Sequence, residues 1–116
     1  MRRALRVVFA AIVVLALAAC ASPTLPLPPP AIPSTTLEAD GRVTLRSDHG
    51  VEPNALVVIL NHNESLPLNQ RVAGTLADTE GTWEQTVIAS PGDILDVTQE
   101  FGSMRSAQTT FRVPSK

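Results

Sequence analysis

The sequence predicts an all-β domain, a Greek-key sandwich of seven short strands. Three observations lead to this fold class. From residue 36 to the end no apolar period of helical length occurs. Turn signals recur about every eight to twelve residues, and most segments between them alternate apolar with polar residues. With 116 residues in total, the chain has room for one small domain.

Each candidate strand lies between two turn signals. The segment 55–61 is the most apolar, and its β-branched Val57, Val58 and Ile59 favour a central strand over a helix. The seven candidate strands cover residues 36–39, 42–47, 55–61, 71–77, 82–89, 94–100 and 107–113. In the alternating strands we expect the apolar residues of one face to line the core, namely Val43, Leu45, Trp83, Val87, Leu95, Val97, Phe111 and Val113, with Gln85 and Thr109 on the same faces.

The turns between these strands have local causes. Asp40-Gly41 is a tight-turn pair, and residues 78–81 suit a type I turn closed by a left-handed glycine, Gly81, which joins two strands as a hairpin. Pro91-Gly92 supplies a fixed φ followed by a positive φ, as a type II turn requires.

Two other segments precede the domain. Three arginines, Arg2, Arg3 and Arg6, come before the 13-residue apolar run 7–19, which is typical of a secretory signal peptide at residues 1–19. A retained single span is the weaker interpretation, because crossing a membrane takes about 20 apolar residues. Residues 20–35 follow as an uncharged linker that holds six of the ten prolines. It favours a stiff polyproline stalk with a reach on the order of 45 Å at ~3.1 Å per residue.

The apolar run ends in Leu17-Ala18-Ala19-Cys20, which resembles the lipobox of bacterial lipoproteins at all four positions. The resemblance implies cleavage before Cys20 and acylation of this only cysteine, which would anchor the protein to a membrane. It also suggests an outer-membrane location facing the periplasm in a Gram-negative host, and otherwise the outer face of the cell membrane. The alternative is a plain secreted protein with a free thiol at Cys20.

The domain itself resembles bacterial immunoglobulin-like domains. A Gly-x-x-Pro-x-Ala loop precedes a valine-rich strand, an Ala-Asp-x-x-Gly-x-aromatic hairpin follows, and a Gly-Asp turn opens the next strand. These motifs are residues 50–55, 77–83 and 91–93, with Ser106 before the last strand. The resemblance implies a seven-stranded immunoglobulin-like sandwich for residues 36–116. Unlike antibody domains the chain has no cysteine pair and no tyrosine, and the carboxypeptidase regulatory-like sandwich fits the pattern as well.

Charge and side-chain chemistry exclude several functions. Removing residues 1–19 leaves six of the nine basic residues against eleven acidic ones, a net charge of −5, which disfavours nucleic-acid binding. The two histidines, His49 and His62, match no zinc spacing, and Asp78, Glu80 and Asp93 form no calcium loop. No G-x-S-x-G motif accompanies them. We therefore expect no catalytic residues, no metal and no cofactor, and hence no enzyme.

One predicted loop carries residue types that are enriched at binding hot spots. Residues 101–105 contain Phe101, Met104 and Arg105. We expect Phe101 to fold inward over the end of the sandwich. In the immunoglobulin connectivity this loop shares an end of the sandwich with two others, so a contact site would also include His49, Glu52, Asp78 and Glu80.

The leading hypothesis is a lipid-anchored lipoprotein of the cell envelope. Its domain would be a non-enzymatic module that either binds a partner or acts as a spacer. Its partners would be the membrane, through Cys20, and envelope proteins or polymers. Two alternatives remain at this point. One is a periplasmic lipoprotein that binds a small molecule or a metal through His49, His62 and nearby carboxylates. The other is an accessory subunit of an envelope enzyme complex.

The lipobox leads to a direct prediction about the mature protein. Mass spectrometry of the native protein from the membrane fraction should find residues 1–19 absent and Cys20 acylated. An intact Met1, or an unmodified Cys20 in that fraction, would exclude a lipoprotein.

Overall fold

The computed structural model describes residues 26–115. The predicted signal peptide, the lipobox-like segment and Cys20 lie outside these residues. The described chain forms eight strands and one short helix. They are β1 (Ser34–Leu37), β2 (Arg42–Ser47), β3 (Leu56–Asn61), α1 (Leu68–Arg71), β4 (Val72–Leu76), β5 (Trp83–Ile88), β6 (Ile94–Phe101), β7 (Met104–Arg105) and β8 (Thr109–Arg112).

The strands form two antiparallel sheets in a sandwich-like arrangement, which confirms the all-β class. One sheet has the order β1-β2-β5. In the other the order is β4-β3-β6, and both β7 and β8 pair with β6. The strand β3 is central, as its apolar sequence predicts, because it pairs with β4 on one side and with β6 on the other.

The strand bounds agree closely with the prediction, with differences at both ends of the domain. The first strand begins two residues earlier, at Ser34, and the short strand β7 lies in the segment 101–105 that is predicted as a loop. The helix α1 was not predicted, because four residues are too few to show a helical period. Pro67 before it supplies the fixed φ of −64° from which a helix can start. Within residues 26–115 no helix has the length and apolar character needed to cross a membrane.

The core lies between the two sheets and follows the predicted alternation. Of the eight apolar residues expected to line the core, seven are buried: Val43, Leu45, Trp83, Val87, Leu95, Val97 and Val113. Phe111 packs against this cluster while partly exposed, and Gln85 and Thr109 are half-buried. Since the inward face of β3 adds Val57 and Ile59, both sheets contribute to one hydrophobic core.

The second half of the linker differs from the expected free stalk. The Ala31 N–H donates to the Gly50 carbonyl oxygen at 3.0 Å, and the Pro30 carbonyl oxygen accepts from the Thr109 hydroxyl. Leu27, Pro30 and Pro33 are buried. Residues from 27 onward therefore lie against the sandwich, so that the reach of about 45 Å calculated for the whole linker is too long.

The burial of Trp83 predicts a large loss of stability in the variant Trp83→Ala. The ring is 3% exposed. Its removal should lower the free energy of unfolding by about 3–5 kcal/mol, out of roughly 4–12 kcal/mol for a domain of this size. Urea unfolding measures the loss. The matched control is Ile88→Ala on the same strand, where the side chain is 37% exposed and a smaller loss is expected. Equal losses in both variants would place the Trp83 ring outside the core.

Candidate functional site

Two of the predicted contact loops are hydrogen-bonded to each other. These are the β2–β3 loop, residues 48–55, and the β4–β5 loop, residues 77–82. The Asn54 N–H donates to the Asp78 carbonyl oxygen at 2.9 Å, and the His49 Nδ1 atom lies 2.9 Å from the Glu80 carbonyl oxygen. The structure thus brings three of the predicted residues, His49, Asp78 and Glu80, to one place.

The Asp78 carboxylate holds the β4–β5 loop together. Its Oδ1 atom accepts hydrogen bonds from the backbone N–H groups of Glu80, at 2.8 Å, and Thr82, at 3.0 Å. The hydrogen bonds from Thr82 and Glu80 lower the pKa of Asp78, with smaller contributions from His49 and Arg46. The charged carboxylate is therefore used to shape the turn, as the sequence predicts for this position.

The backbone conformation of the paired loops depends on Gly81. Its φ is +78°, and a Cβ there would lie 2.1 Å from the Val51 carbonyl oxygen. Only glycine fits such a position, because a left-handed conformation and a close backbone approach coincide. The predicted left-handed glycine is confirmed, but the predicted hairpin is wrong, because β4 pairs with β3 and β5 pairs with β2 in the other sheet.

The third predicted loop is a tight hairpin rather than an open loop. Phe101 pairs with Met104, so the turn has two residues, of which Gly102 has a φ of +61°. Arg105 is exposed, and its Nε atom lies 3.4 Å from Glu100 Oε1. Phe101 is 40% exposed, which differs from the expectation that it covers the end of the sandwich.

The polar residue that joins these segments is Gln99, which the sequence analysis missed. It is 1% exposed. Its Oε1 atom accepts from the Glu52 N–H at 2.7 Å, and its Nε2 atom donates to the Pro28 carbonyl oxygen at 2.7 Å. A signal was present in the sequence, since Gln99 continues the inward-facing series of Leu95 and Val97 with a polar side chain.

Through Gln99 the docked linker and the three loops meet at one end of the sandwich. We call this end the linker pole, and it comprises residues 28–31, 48–55, 77–82 and 101–105. The side chain of Glu52 is exposed there, while its N–H is bound to Gln99. All seven predicted contact residues, His49, Glu52, Asp78, Glu80, Phe101, Met104 and Arg105, belong to the linker pole.

His62 lies at the opposite end of the sandwich. The strand β3 separates it from His49, and six residues of strand span about 20 Å at ~3.3 Å per residue. The two histidines therefore do not form the joint metal site of the alternative hypothesis. Within residues 26–115 no group of three or more His, Cys, Asp or Glu side chains is placed to hold a metal ion.

At that opposite end the polar side chains also bind one another. The His62 Nε2 atom is 2.7 Å from Asp96 Oδ2, and the Thr110 hydroxyl donates to Asp96 Oδ1 at 2.5 Å. Partial burial acts to raise the pKa of Asp96, but the hydrogen bonds from Thr110 and His62 outweigh it and the pKa is lowered. The buried Asn61 amide nearby donates to Asp93 Oδ2 at 3.0 Å, which fixes the turn that contains Gly92 at a φ of +92°.

The contacts of Gln99 predict that its replacement loosens the linker pole. In Gln99→Leu the Glu52 N–H and the Pro28 carbonyl group lose their partners at a part-buried site, and each loss costs about 1–3 kcal/mol. Chemical unfolding should show lower stability, and hydrogen exchange at the Ala31 and Glu52 amides should become faster.

The matched control for this experiment is Gln85→Leu. Gln85 is half-buried, and its Nε2 atom bonds to the carbonyl oxygen of the neighbouring Thr86 at 2.9 Å. Because the Gln85 amide bonds only to the adjacent residue, Gln85→Leu breaks no contact between distant segments, and we expect a small change in the free energy of unfolding. If the two leucine variants lose the same stability, the Gln99 amide does not hold the linker pole together.

Comparison of the sequence and the structure with protein-family models, curated proteins and solved structures gives no significant match. The function must therefore be inferred from the residues of the chain itself. The linker pole is the part of the described chain where docked backbone, ordered loops and exposed side chains of contact-forming types occur together.

Proposed function

We propose that this chain is a lipid-anchored lipoprotein of the cell envelope and that its domain is a non-enzymatic binding or spacer module of the immunoglobulin-like class. The anchor would be the acylated Cys20, after removal of residues 1–19. The membrane would be the outer membrane, with the domain in the periplasm, in a Gram-negative host. In other hosts it would be the outer face of the cell membrane.

The strand order supports the immunoglobulin-like part of this proposal. If β7 and β8 are counted as two parts of one interrupted strand, the domain has seven strands. The sheet β1-β2-β5 then corresponds to the A, B and E strands of an immunoglobulin-like sandwich, and β3, β6 and β8 correspond to C, F and G. We propose this connectivity in preference to the carboxypeptidase regulatory-like one.

The observation that carries the proposal is the position of the chain entry. The linker reaches the domain at the linker pole, where the Gly50 carbonyl oxygen and Gln99 bind it. The same pole holds all seven predicted contact residues. An anchor at Cys20 would therefore keep this surface close to the membrane and within reach of envelope proteins or polymers.

The side chains of the linker pole divide into two groups. Asp78 and His49 bind backbone groups within the loops, so their polar atoms hold the surface in shape. Phe101 and Arg105 are exposed on a tight hairpin, and aromatic and arginine side chains are the types that contribute most to interfaces. This division suits a preformed contact surface better than a site of proton transfer.

The proposed contact surface can be tested with two exposed residues of the hairpin. Phe101→Ala and Arg105→Ala should each reduce recovery of an envelope partner, because truncating a hot-spot side chain costs more than about 1 kcal/mol, or roughly fivefold in affinity. Both variants should unfold at the same temperature as the wild type, because neither side chain lies in the core. The measurement is co-purification after crosslinking in intact cells.

The control is Arg112→Ala, an exposed arginine on β8 beside Gly92 at the opposite end of the sandwich. Its partner recovery should equal that of the wild type. Equal recovery from all variants, with folding intact, would leave the domain in the role of a spacer.

A further inference from the structure

The strand β4 forms one edge of its sheet and carries an apolar surface that the domain leaves uncovered. Its sequence is Val-Ala-Gly-Thr-Leu, with no charged residue and no proline. Val72 is 48% exposed and Leu76 is 71% exposed. Next to them on the same outer face is Leu56 of β3, paired with Leu76 and 36% exposed.

The backbone of β4 offers free hydrogen-bonding groups at this edge. The Ala77 N–H donates to the Ala55 carbonyl oxygen at 2.8 Å, which identifies this pair as a hydrogen-bonded one. Because such pairs alternate along an antiparallel ladder, Ala73 and Thr75 also bond to β3. The N–H and C=O groups of Val72, Gly74 and Leu76 therefore point away from β3, toward the open edge.

Gly74 in the middle of this strand has no explanation within its own domain. A Cβ there would lie 3.5 Å from the Val57 carbonyl oxygen and 3.9 Å from a Leu56 methyl carbon, both ordinary contact distances. Its φ is not positive. Glycine weakens a strand, and an isolated one often marks the close approach of another backbone. Its missing side chain leaves a gap on the outer face between Val72 and Leu76, next to the edge on which the free backbone groups lie.

The β4 edges of two copies of the chain are complementary to each other. An antiparallel pairing about a two-fold axis at Gly74 would place Val72 of each copy opposite Leu76 of the other, and all the free groups of these residues would bond. The charges also match in this direction. Arg71, directly before β4 and with its Nε atom donating to the Asn61 carbonyl oxygen, would lie opposite Ala77 of the second copy, beside the turn that carries Asp78 and Glu80.

We propose that the chain forms a homodimer through antiparallel pairing of β4 with β4, which joins the two sheets into one continuous sheet with an apolar stripe on its outer face. This inference goes beyond the proposed function and does not depend on the lipid anchor. The surface is also separate from the exposed hairpin of Phe101 and Arg105.

The predicted register can be tested by disulfide trapping in the full-length protein. In the double variant Val72→Cys/Leu76→Cys each new cysteine faces its counterpart in a hydrogen-bonded pair, with Cα atoms about 5.5 Å apart, within the range for a disulfide. Mild oxidation of intact cells should convert this variant to a covalent dimer. The single variants Val72→Cys and Leu76→Cys are the matched controls, because each cysteine then faces an unchanged residue and should not crosslink.

A second variant tests the backbone pairing itself. Gly74→Pro removes an N–H that β3 does not use, so the domain should fold as the wild type does, judged by circular dichroism and Trp83 fluorescence. The purified full-length protein in detergent should form dimers by analytical ultracentrifugation. The proline variant should dissociate at about a 10- to 100-fold higher concentration, since one bond from each copy is lost.

Three outcomes would overturn the dimer: equal crosslinking of the double and single variants, a monomeric wild type at every concentration tested, or dimers that Gly74→Pro leaves unchanged. A crosslink from the double variant to a different protein would instead assign the edge to a foreign strand. Failure of the lipid anchor would be seen separately, as an unmodified Cys20, and the trapping is then repeated in a Cys20→Ser background so that this thiol does not crosslink.

Discussion

The arrangement of the linker pole depends on the buried amide of Gln99. The Glu52 N–H can only donate and the Pro28 carbonyl group can only accept, so these two partners fix which end of the amide faces which segment. The backbone of Gln99 is equally engaged, because its N–H donates to the Ser106 hydroxyl and its C=O accepts from the Ser106 N–H. One residue of β6 thus positions the linker, the β2–β3 loop and the start of the last strand.

This constraint has a consequence for the proposed anchor. Because the linker is bound from Pro28 onward, seven residues separate Cys20 from the first hydrogen-bonded position. Seven residues at ~3.1 Å each could reach at most about 20–25 Å, roughly half of the reach calculated for the whole linker. A lipid at Cys20 would then limit both the height and the tilt of the domain, so the exposed Phe101 and Arg105 would sample a narrow layer above the membrane rather than a wide volume.

Much of the fold was predictable because its causes are local. Alternating apolar residues and β-branched side chains located the strands, and the glycines at positions 41, 81 and 92 have the positive φ that their turns require. The docking of the linker was not predictable, because Gln99 and Pro28 are 71 residues apart and neither has a local signal for the other. The exposure of Phe101 was also not predictable. The alternation along β6 places Phe101 on the inward face, but it is the last residue of the strand and lies beyond the end of the core. Its exposure therefore depends on the length of the strand and not on the alternation of apolar residues.

The edges of the two sheets also show why β4 differs from the other outer strands. A sandwich of open sheets has four edges, and each exposes backbone groups that can pair with another chain. Here β5 carries Glu84, β8 carries Arg112 and is bound by the linker at Thr109, and β1 is four residues long and preceded by Pro33. Charge, cover, proline and short length are the usual protections of an edge. The strand β4 carries no charged residue and no proline, and it exposes two large apolar side chains, so its edge lacks the charge, cover and proline found at the other three.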